Sequence, residues 1–448
     1  MRRVTTYIIK VWLALLASAS FAGCADVFVP SETLAHNEGE HTIVMYLLAD
    51  NNLSSSIYQN ALDAEMGMVG ASPAVRLVIY LDRADKTELY EVRYLPYGAG
   101  GEHIRSCKTL KTYPKQTSTK PEIMQQVLED VKRLAPSKSY GLVVTGHGSG
   151  WFPTPSSGTS YDNQKAYPVD GGAEYLFPHS TLEEPRTRFM GYDQDESDGG
   201  APVRSYISTE DMVKGLQPIH FDYIIFDACF MSSVEFLYAM RHSADYLVAS
   251  PVEVMACGLP YCEIVGNLAS TEHNISNICD VAMEVYMRDN NFSYEKSLAL
   301  AVVDCSKLDA LADAVGAVYR AVGGIDPLQT IGQRVDRSQV QHLDRMYRPA
   351  FYDLRDFVCQ LAGQEHKALY EQFLEALDGA IVHSLHTEQI FSLGQSDMLG
   401  YNYDYLDPIR ESGLSLCGLN TYIPFAEAPL TSSLYMQTLW AKKIYSAQ

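Results

Sequence analysis

Two side chains combine chemical reactivity with a position that would expose it: His147 in Thr145-Gly-His-Gly-Ser-Gly150 and Cys229 in Asp227-Ala-Cys-Phe230. Each follows an apolar, β-branched run, Tyr140–Thr145 and Phe221–Phe226, of the kind that forms a strand buried on both faces. Ligands of open α/β sheets bind at the carboxyl ends of strands, so two neighbouring strands would aim both groups into one crevice. A thiol placed there is a nucleophile once ionised, and an imidazole titrating near neutral pH is its general base or acid. The glycines flanking His147 let backbone N–H groups approach a substrate carbonyl, which makes the Gly148 N–H a candidate oxyanion donor. Ser232-Ser-Val-Glu235 reads as a capping box, Ser at the N-cap and Glu at N3. It would open a helix just after Cys229, whose terminal partial charge favours thiolate. Singly, a buried inert Cys and a turn His are ordinary; paired at two strand ends they point to covalent catalysis.

Competing chemistries lack their residues. Gly146-x-Gly148-x-Gly150 has Trp151 where a dinucleotide loop needs another glycine, and no Gly-Lys-Ser/Thr follows. There is no G-x-S-x-G, H-E-x-x-H or C-x-x-C, and Cys257 and Cys262 are too far apart for a zinc knuckle. His383 and His386, with Glu388, fit a solvated helix end. Asp193, Asp195 and Asp198 offer oxygen ligands to Ca2+ but lack the Gly and final Glu of an EF-hand loop, and read as a solvated acidic loop. No metal site is assigned.

The elements that must position the pair follow from periodicity. Apolar runs at 42–49, 75–81, 140–145, 221–226, 246–250 and 297–303 predict strands of a parallel or mostly parallel sheet. Helical periods at 54–69, 122–134, 209–216 and 233–241 alternate with them, the signature of an α/β layered domain. Beyond residue 307 the pattern turns helical, at 308–322, 354–361 and 368–382, with a late strand at 418–423 and a terminal helix at 433–445. The stretch 151–205, rich in Pro, Gly and Ser, reads as a long insertion of the sort that carries function.

The start of the chain reads as an address. Arg2, Arg3 and Lys10 precede the apolar run 11–23, and Phe21-Ala-Gly-Cys24 resembles a bacterial lipobox. Residues 1–23 would be a lipoprotein signal peptide, Cys24 the lipidated residue, and 24–41 a polar tether; a plain secretory signal is the other reading. The expected location is the cell envelope or surface of a bacterium, anchored by lipid. Residues 42–306 would form the α/β domain, and 307–448 an extension that packs on it and completes it.

Composition bounds the partners. With 34 Lys+Arg against 55 Asp+Glu in 448 residues the formal charge is −21, which argues against nucleic acid and against polybasic membrane binding. A 47% hydrophobic content suits a globular core, and nine Cys are too few for a disulfide scaffold of this length. Seven cysteines remain besides Cys24 and Cys229, an odd number that cannot pair completely within the chain.

The two reactive blocks together, Gly146-His-Gly-Ser-Gly-Trp151 and Asp227-Ala-Cys-Phe-Met-Ser-Ser-Val-Glu235, resemble those of the clostripain-like cysteine peptidases, of the same clan as caspases and gingipains. Leu48-Ala-Asp-Asn-Asn-Leu53, Gly191-Tyr-Asp193, Ile207–Met212, Ser250–Glu253, Gly258–Tyr261, Tyr352–Phe357 and Leu419–Pro424 extend the similarity over about residues 42–425. The resemblance implies a caspase-like three-layer sandwich and an endopeptidase acting on protein or peptide substrates. His147 and Cys229 would be its dyad, and the Gly148 and Cys229 N–H groups its oxyanion hole. Members prefer Arg or Lys on the acyl side of the scissile bond, read by an acid two residues before the nucleophile, here Asp227. The family's second specificity acid has Glu253 as its nearest substitute. Activation by cleavage between the His and Cys strands would make the chain a zymogen, with Lys165 the nearest counterpart of the cut site. No cofactor is implied as required; some members need Ca2+. A non-catalytic surface-binding lipoprotein on the same fold, or a metal-dependent hydrolase built on the acidic cluster, are the rival functions; intact His147 and Cys229 oppose the first.

Overall fold

The computed structural model describes residues 39–97, 102–152, 192–196, 202–270, 274–290, 292–323, 327–346, 349–395 and 401–445. The signal peptide, Cys24 and Lys165 lie outside them.

Nine strands form the central sheet: β1 (Gly39–Leu48), β2 (Val75–Asp82), β3 (Thr87–Tyr97), β4 (Glu102–Tyr113), β5 (Ser137–Thr145), β6 (Phe221–Asp227), β7 (Ala244–Ala249), β8 (Ala299–Asp304) and β9 (Ile381–His386). Their order is β9-β8-β7-β6-β5-β1-β2-β3-β4. The five strands from β7 to β2 are mutually parallel, while β3 and β8 run against their neighbours. The sheet is therefore mostly parallel, as the continuous apolar runs predict.

Side chains alternate between the faces of a strand, and here both faces are covered. Val44, Tyr46 and Leu48 of β1 join a core with the helices Pro121–Leu134, Thr209–Gly215, Val234–Met240 and Leu308–Val322. Ile43, Met45 and Leu47 join a second core with the helices Ser54–Gly67, Tyr261–Leu268 and Ile278–Arg288. Helices on both faces of one sheet give the three-layer α/β sandwich. Each fully buried aliphatic side chain contributes roughly 1.5–3 kcal/mol to it.

Several sequence expectations are corrected. β1 begins at Gly39, inside the segment read as tether, with buried His41 bonded to Ser139 and Tyr223. The β3–β4 ribbon, polar on its outer positions, gives no long apolar run. The segment 368–382 ends as a helix at Ala380 and continues as β9, so His383 and His386 lie on a strand, with His383 beside Asp280 and His386 against the Thr387 carbonyl. The late strand 418–423 shrinks to Asn420–Thr421, paired with Tyr352–Asp353. The terminal helix divides into Pro429–Tyr435 and Leu439–Tyr445. The stretch 151–205 is not without regular structure: Tyr192–Glu196 and Pro202–Tyr206 form an antiparallel hairpin, which puts Asp193 and Asp195 on a strand rather than in a loop. None of the eight described cysteines forms a disulfide with another described residue.

Candidate active site

The register between β5 and β6 decides what meets at their ends. Thr145 and Asp227 are direct partners across this parallel pair, so His147 and Cys229, each two residues further on, emerge side by side at the carboxyl edge. The Thr145 hydroxyl donates to the Asp227 carbonyl (3.3 Å) and carboxylate (3.1 Å), tying the strand ends together. Gly148 continues the contact: a Cβ there would lie 2.5 Å from the Cys229 carbonyl oxygen and 2.9 Å from its nitrogen. Only glycine lets the two backbones approach this closely. Gly150, at φ +57°, turns the His loop where a side chain would strike the Phe230 carbonyl at 2.7 Å.

His147 is 7% exposed, and its Nε2 lies 2.7 Å from Oδ1 of Asn52, in the turn that follows β1. An amide oxygen only accepts, so this contact puts a proton on Nε2 and leaves Nδ1 as the nitrogen that can exchange one. Asn52 was not singled out by sequence; the run Leu48–Leu53 marks a strand end but not which Asn reaches the histidine.

Cys229 is fully buried, and the Val254 N–H donates to its sulfur at 3.3 Å. The helix after it does not serve as expected. Its first residue is Val234 and its N-cap is Ser233, whose side chain makes no capping bond and donates instead to Glu235. Besides the Ser233 hydroxyl, Glu235 accepts from the Thr421 hydroxyl (2.6 Å) and the Tyr422 N–H (3.0 Å) of a crossing strand. The capping box is thus shared with that strand, and the backbone amide beside the sulfur is that of Val254. Other thiols are placed for inertness: burial pushes Cys279 and Cys305 up to about 12, and Cys417 well above the ordinary thiol value.

Asp227 sits wholly buried beneath the pair, with its carboxylate also accepting from the Tyr261 hydroxyl (2.7 Å) and the Leu259 N–H (3.3 Å). Glu253, 1% exposed, accepts from the Ser392 hydroxyl (2.6 Å) and the Leu393 N–H (2.8 Å). Those two residues belong to the hairpin Phe391–Gln395/Tyr401–Tyr405, which Glu253 anchors next to the Val254 segment. Trp151, at the end of the His loop, packs on Tyr422 and Tyr435 at 5.1 and 5.4 Å between ring centres.

A thiol and an imidazole at adjacent strand ends, with backbone amides beside them, are equipped for attack on an acyl carbon and proton delivery to the leaving group.

Comparison with known proteins gives the same class. The clostripain family model matches residues 170–376, which include Cys229. Among solved structures, a secreted C11 cysteine protease of Bacteroides thetaiotaomicron, iotapain, is 27% identical with a TM-score of 0.67, over 91% of this chain and 99% of its own. A secreted C11 cysteine protease from the same organism, in complex with an irreversible peptide inhibitor, is 22% identical with a TM-score of 0.69, over 91% and 99% of the two chains. An inactive zymogen C11 protease from Parabacteroides distasonis is 23% identical with a TM-score of 0.69, over 93% and 100%. Comparison with curated proteins finds no match. Fold, strand-end chemistry and the family match over residues 170–376 together make this chain similar to the clostripain family and support a cysteine-type peptidase.

Proposed function

We propose that the chain is an exported cysteine endopeptidase that cleaves after Arg or Lys through a His147–Cys229 dyad. The observation that carries the dyad is the Thr145–Asp227 pairing, which sets the two side chains at neighbouring strand ends. The Cys229 thiolate attacks the scissile carbonyl, and a C–S bond forms as the C–N bond breaks. His147, protonated at Nδ1, gives that proton to the departing amine. Water then attacks the thioester, its proton returns to His147, and the acid product leaves with regeneration of the thiolate. The Gly148 and Cys229 N–H groups, on backbones in van der Waals contact, are assigned to the developing oxyanion.

Asp227, two residues before Cys229 at the end of β6 and fixed by three donors, is the residue assigned to a basic side chain of the substrate. Glu253 would border that pocket by holding the hairpin. Full burial of Cys229 in the uncut chain supports a latent precursor, opened by self-cleavage within 151–205, with Lys165 as the assigned site. Export and a lipid anchor at Cys24 rest on the sequence, and the relatives described as secreted support export. The acidic balance of the chain suits basic peptide segments.

The test compares wild type and Cys229→Ala on peptides with Arg, Lys or a non-basic residue before the scissile bond, while a denaturing gel follows the chain. The expected result is turnover of the basic peptides and self-cleavage by wild type alone. Equal turnover by both proteins contradicts the nucleophile, preference for non-basic peptides removes Asp227 from its role, and full activity of an unsplit chain removes the precursor. Binding without turnover by wild type would favour a silent surface lipoprotein.

A further inference from the structure

The short strand Asn420–Thr421 belongs to the far end of the chain, yet it lies along the segment that follows the nucleophile. The Asn420 N–H donates to the Ser232 carbonyl at 2.9 Å, and the Ser232 hydroxyl donates to the Gly418 carbonyl at 2.6 Å. The side chain of Asn420, wholly buried, does something more specific. Its Nδ2 donates to the Pro251 carbonyl at 2.9 Å and to the Phe230 carbonyl at 3.3 Å.

Each of those carbonyls governs one side of the sulfur. Phe230, immediately after Cys229, has φ +60°, the only positive φ among the described non-glycine residues. Such a conformation is unfavourable for a side-chain-bearing residue and persists only where the surroundings impose it. Here the Phe230 N–H is held by the Val252 carbonyl at 2.9 Å, its ring is stacked on Phe351 at 4.2 Å, and its carbonyl is held by Asn420. Pro251 opens the segment that ends in Val254, whose N–H reaches the Cys229 sulfur. A single amide group therefore pins both the bend that presents the sulfur and the strand of chain that donates to it. A carboxamide suits the place: it brings two N–H donors to two carbonyls without a charge, whereas a carboxylate would oppose both and a hydroxyl could satisfy one.

We propose that Asn420 is a positioning residue for the Cys229 thiolate, acting through the Phe230 bend and the Val254 amide. This inference rests on Cys229 being the nucleophile. Asn420 touches no substrate. Its loss leaves substrate contacts in place but loosens the sulfur and withdraws the amide that stabilises its ionised form.

The test uses the full-length protein after self-cleavage, confirmed complete on a denaturing gel for wild type and variants alike, and reads the rate of iodoacetamide alkylation of Cys229 against pH, by peptide mapping, together with kcat and KM. For Asn420→Ala the midpoint of thiol alkylation should rise by about half a unit to one unit. Its kcat should fall on the order of tenfold to a hundredfold, with KM changed less than about threefold. Ser432→Ala serves as the control for mere destabilisation. Ser432 is buried in the same extension, and its hydroxyl bonds the Phe425 backbone N–H and carbonyl, each at 3.0 Å. Its loss should lower the melting temperature and leave the midpoint and kcat unchanged. Should Asn420→Ala fail to fold, Asn420→Ser, which keeps one donor, is read in the same way; loss of fold in both variants makes the role structural and overturns the proposal. Wild-type alkylation separates the two readings. If modification of Cys229 leaves turnover intact, the nucleophile itself is wrong; if it abolishes turnover while Asn420→Ala keeps the wild-type midpoint and kcat, the positioning role alone fails.

Discussion

Asn52 shows how little a residue needs to be buried to matter. It lies on the exposed lip of the site, and its 2.7 Å contact with Nε2 sets which ring nitrogen of His147 carries the proton. Asn52→Ala should cut kcat/KM on the order of tenfold to a hundredfold with no change in melting temperature, as measured by steady-state kinetics and thermal unfolding. Glu235 presents the opposite case. Burial raises its pKa, opposed by bonds from Ser233, Thr421 and Tyr422, and its partners are hydroxyls and an amide rather than a cation. A carboxyl whose folded pKa lies above its unfolded one supports folding fully below the unfolded value. That support is lost as pH rises toward the folded value. Glu235→Gln should therefore flatten the fall in stability above the ordinary carboxylate range, read as melting temperature from pH 4 to 8 on the scale of about 1 kcal/mol. His147 and Cys229 are legible in sequence because glycines and strand runs frame them. Asn52 and Asn420 are not, because an Asn in a turn or short strand has many ordinary uses and its partners are 95 and 190 residues away.

At the scale of elements, the site is a matter of register. The β5–β6 pairing brings Gly148 against Cys229, and that contact tolerates no side chain because the obstacle is backbone. Gly148→Ala should reduce kcat by at least about a hundredfold while substrate affinity and secondary structure persist, checked by kinetics and circular dichroism. The parallel strands could be read from their apolar runs, since a strand buried on both faces needs no alternation. The helix after Cys229 starts one residue later than its capping box predicts, because the capping box is a local rule. Glu235 obeys a nonlocal one as well, taking the Thr421 hydroxyl and Tyr422 amide besides the Ser233 hydroxyl at its own helix end. The β3–β4 ribbon and β9 are not legible locally for a similar reason: their partners, not their own pattern, make them strands.

At the scale of the whole molecule, the region beyond residue 307 completes the sheet and packs against the proposed site. It supplies β9 to the sheet, Asn420 to the nucleophile loop, and Tyr422 and Tyr435 as the bed for Trp151 on the His loop. A chain ending at residue 306 would expose β8 and one face of the larger core. It should aggregate or stay unfolded on expression, and adding 307–448 as a separate polypeptide should not restore activity; soluble, active 1–306 would contradict this account. The most direct test of the central claim is covalent. Incubation of the self-processed protein with an acyloxymethyl ketone peptide ending in Arg or Lys, followed by peptide mapping, should place a single adduct on Cys229, absent from Cys229→Ala and formed at least about a hundredfold more slowly by His147→Ala. An adduct on another cysteine, with Cys229 unmodified and activity lost, would contradict it.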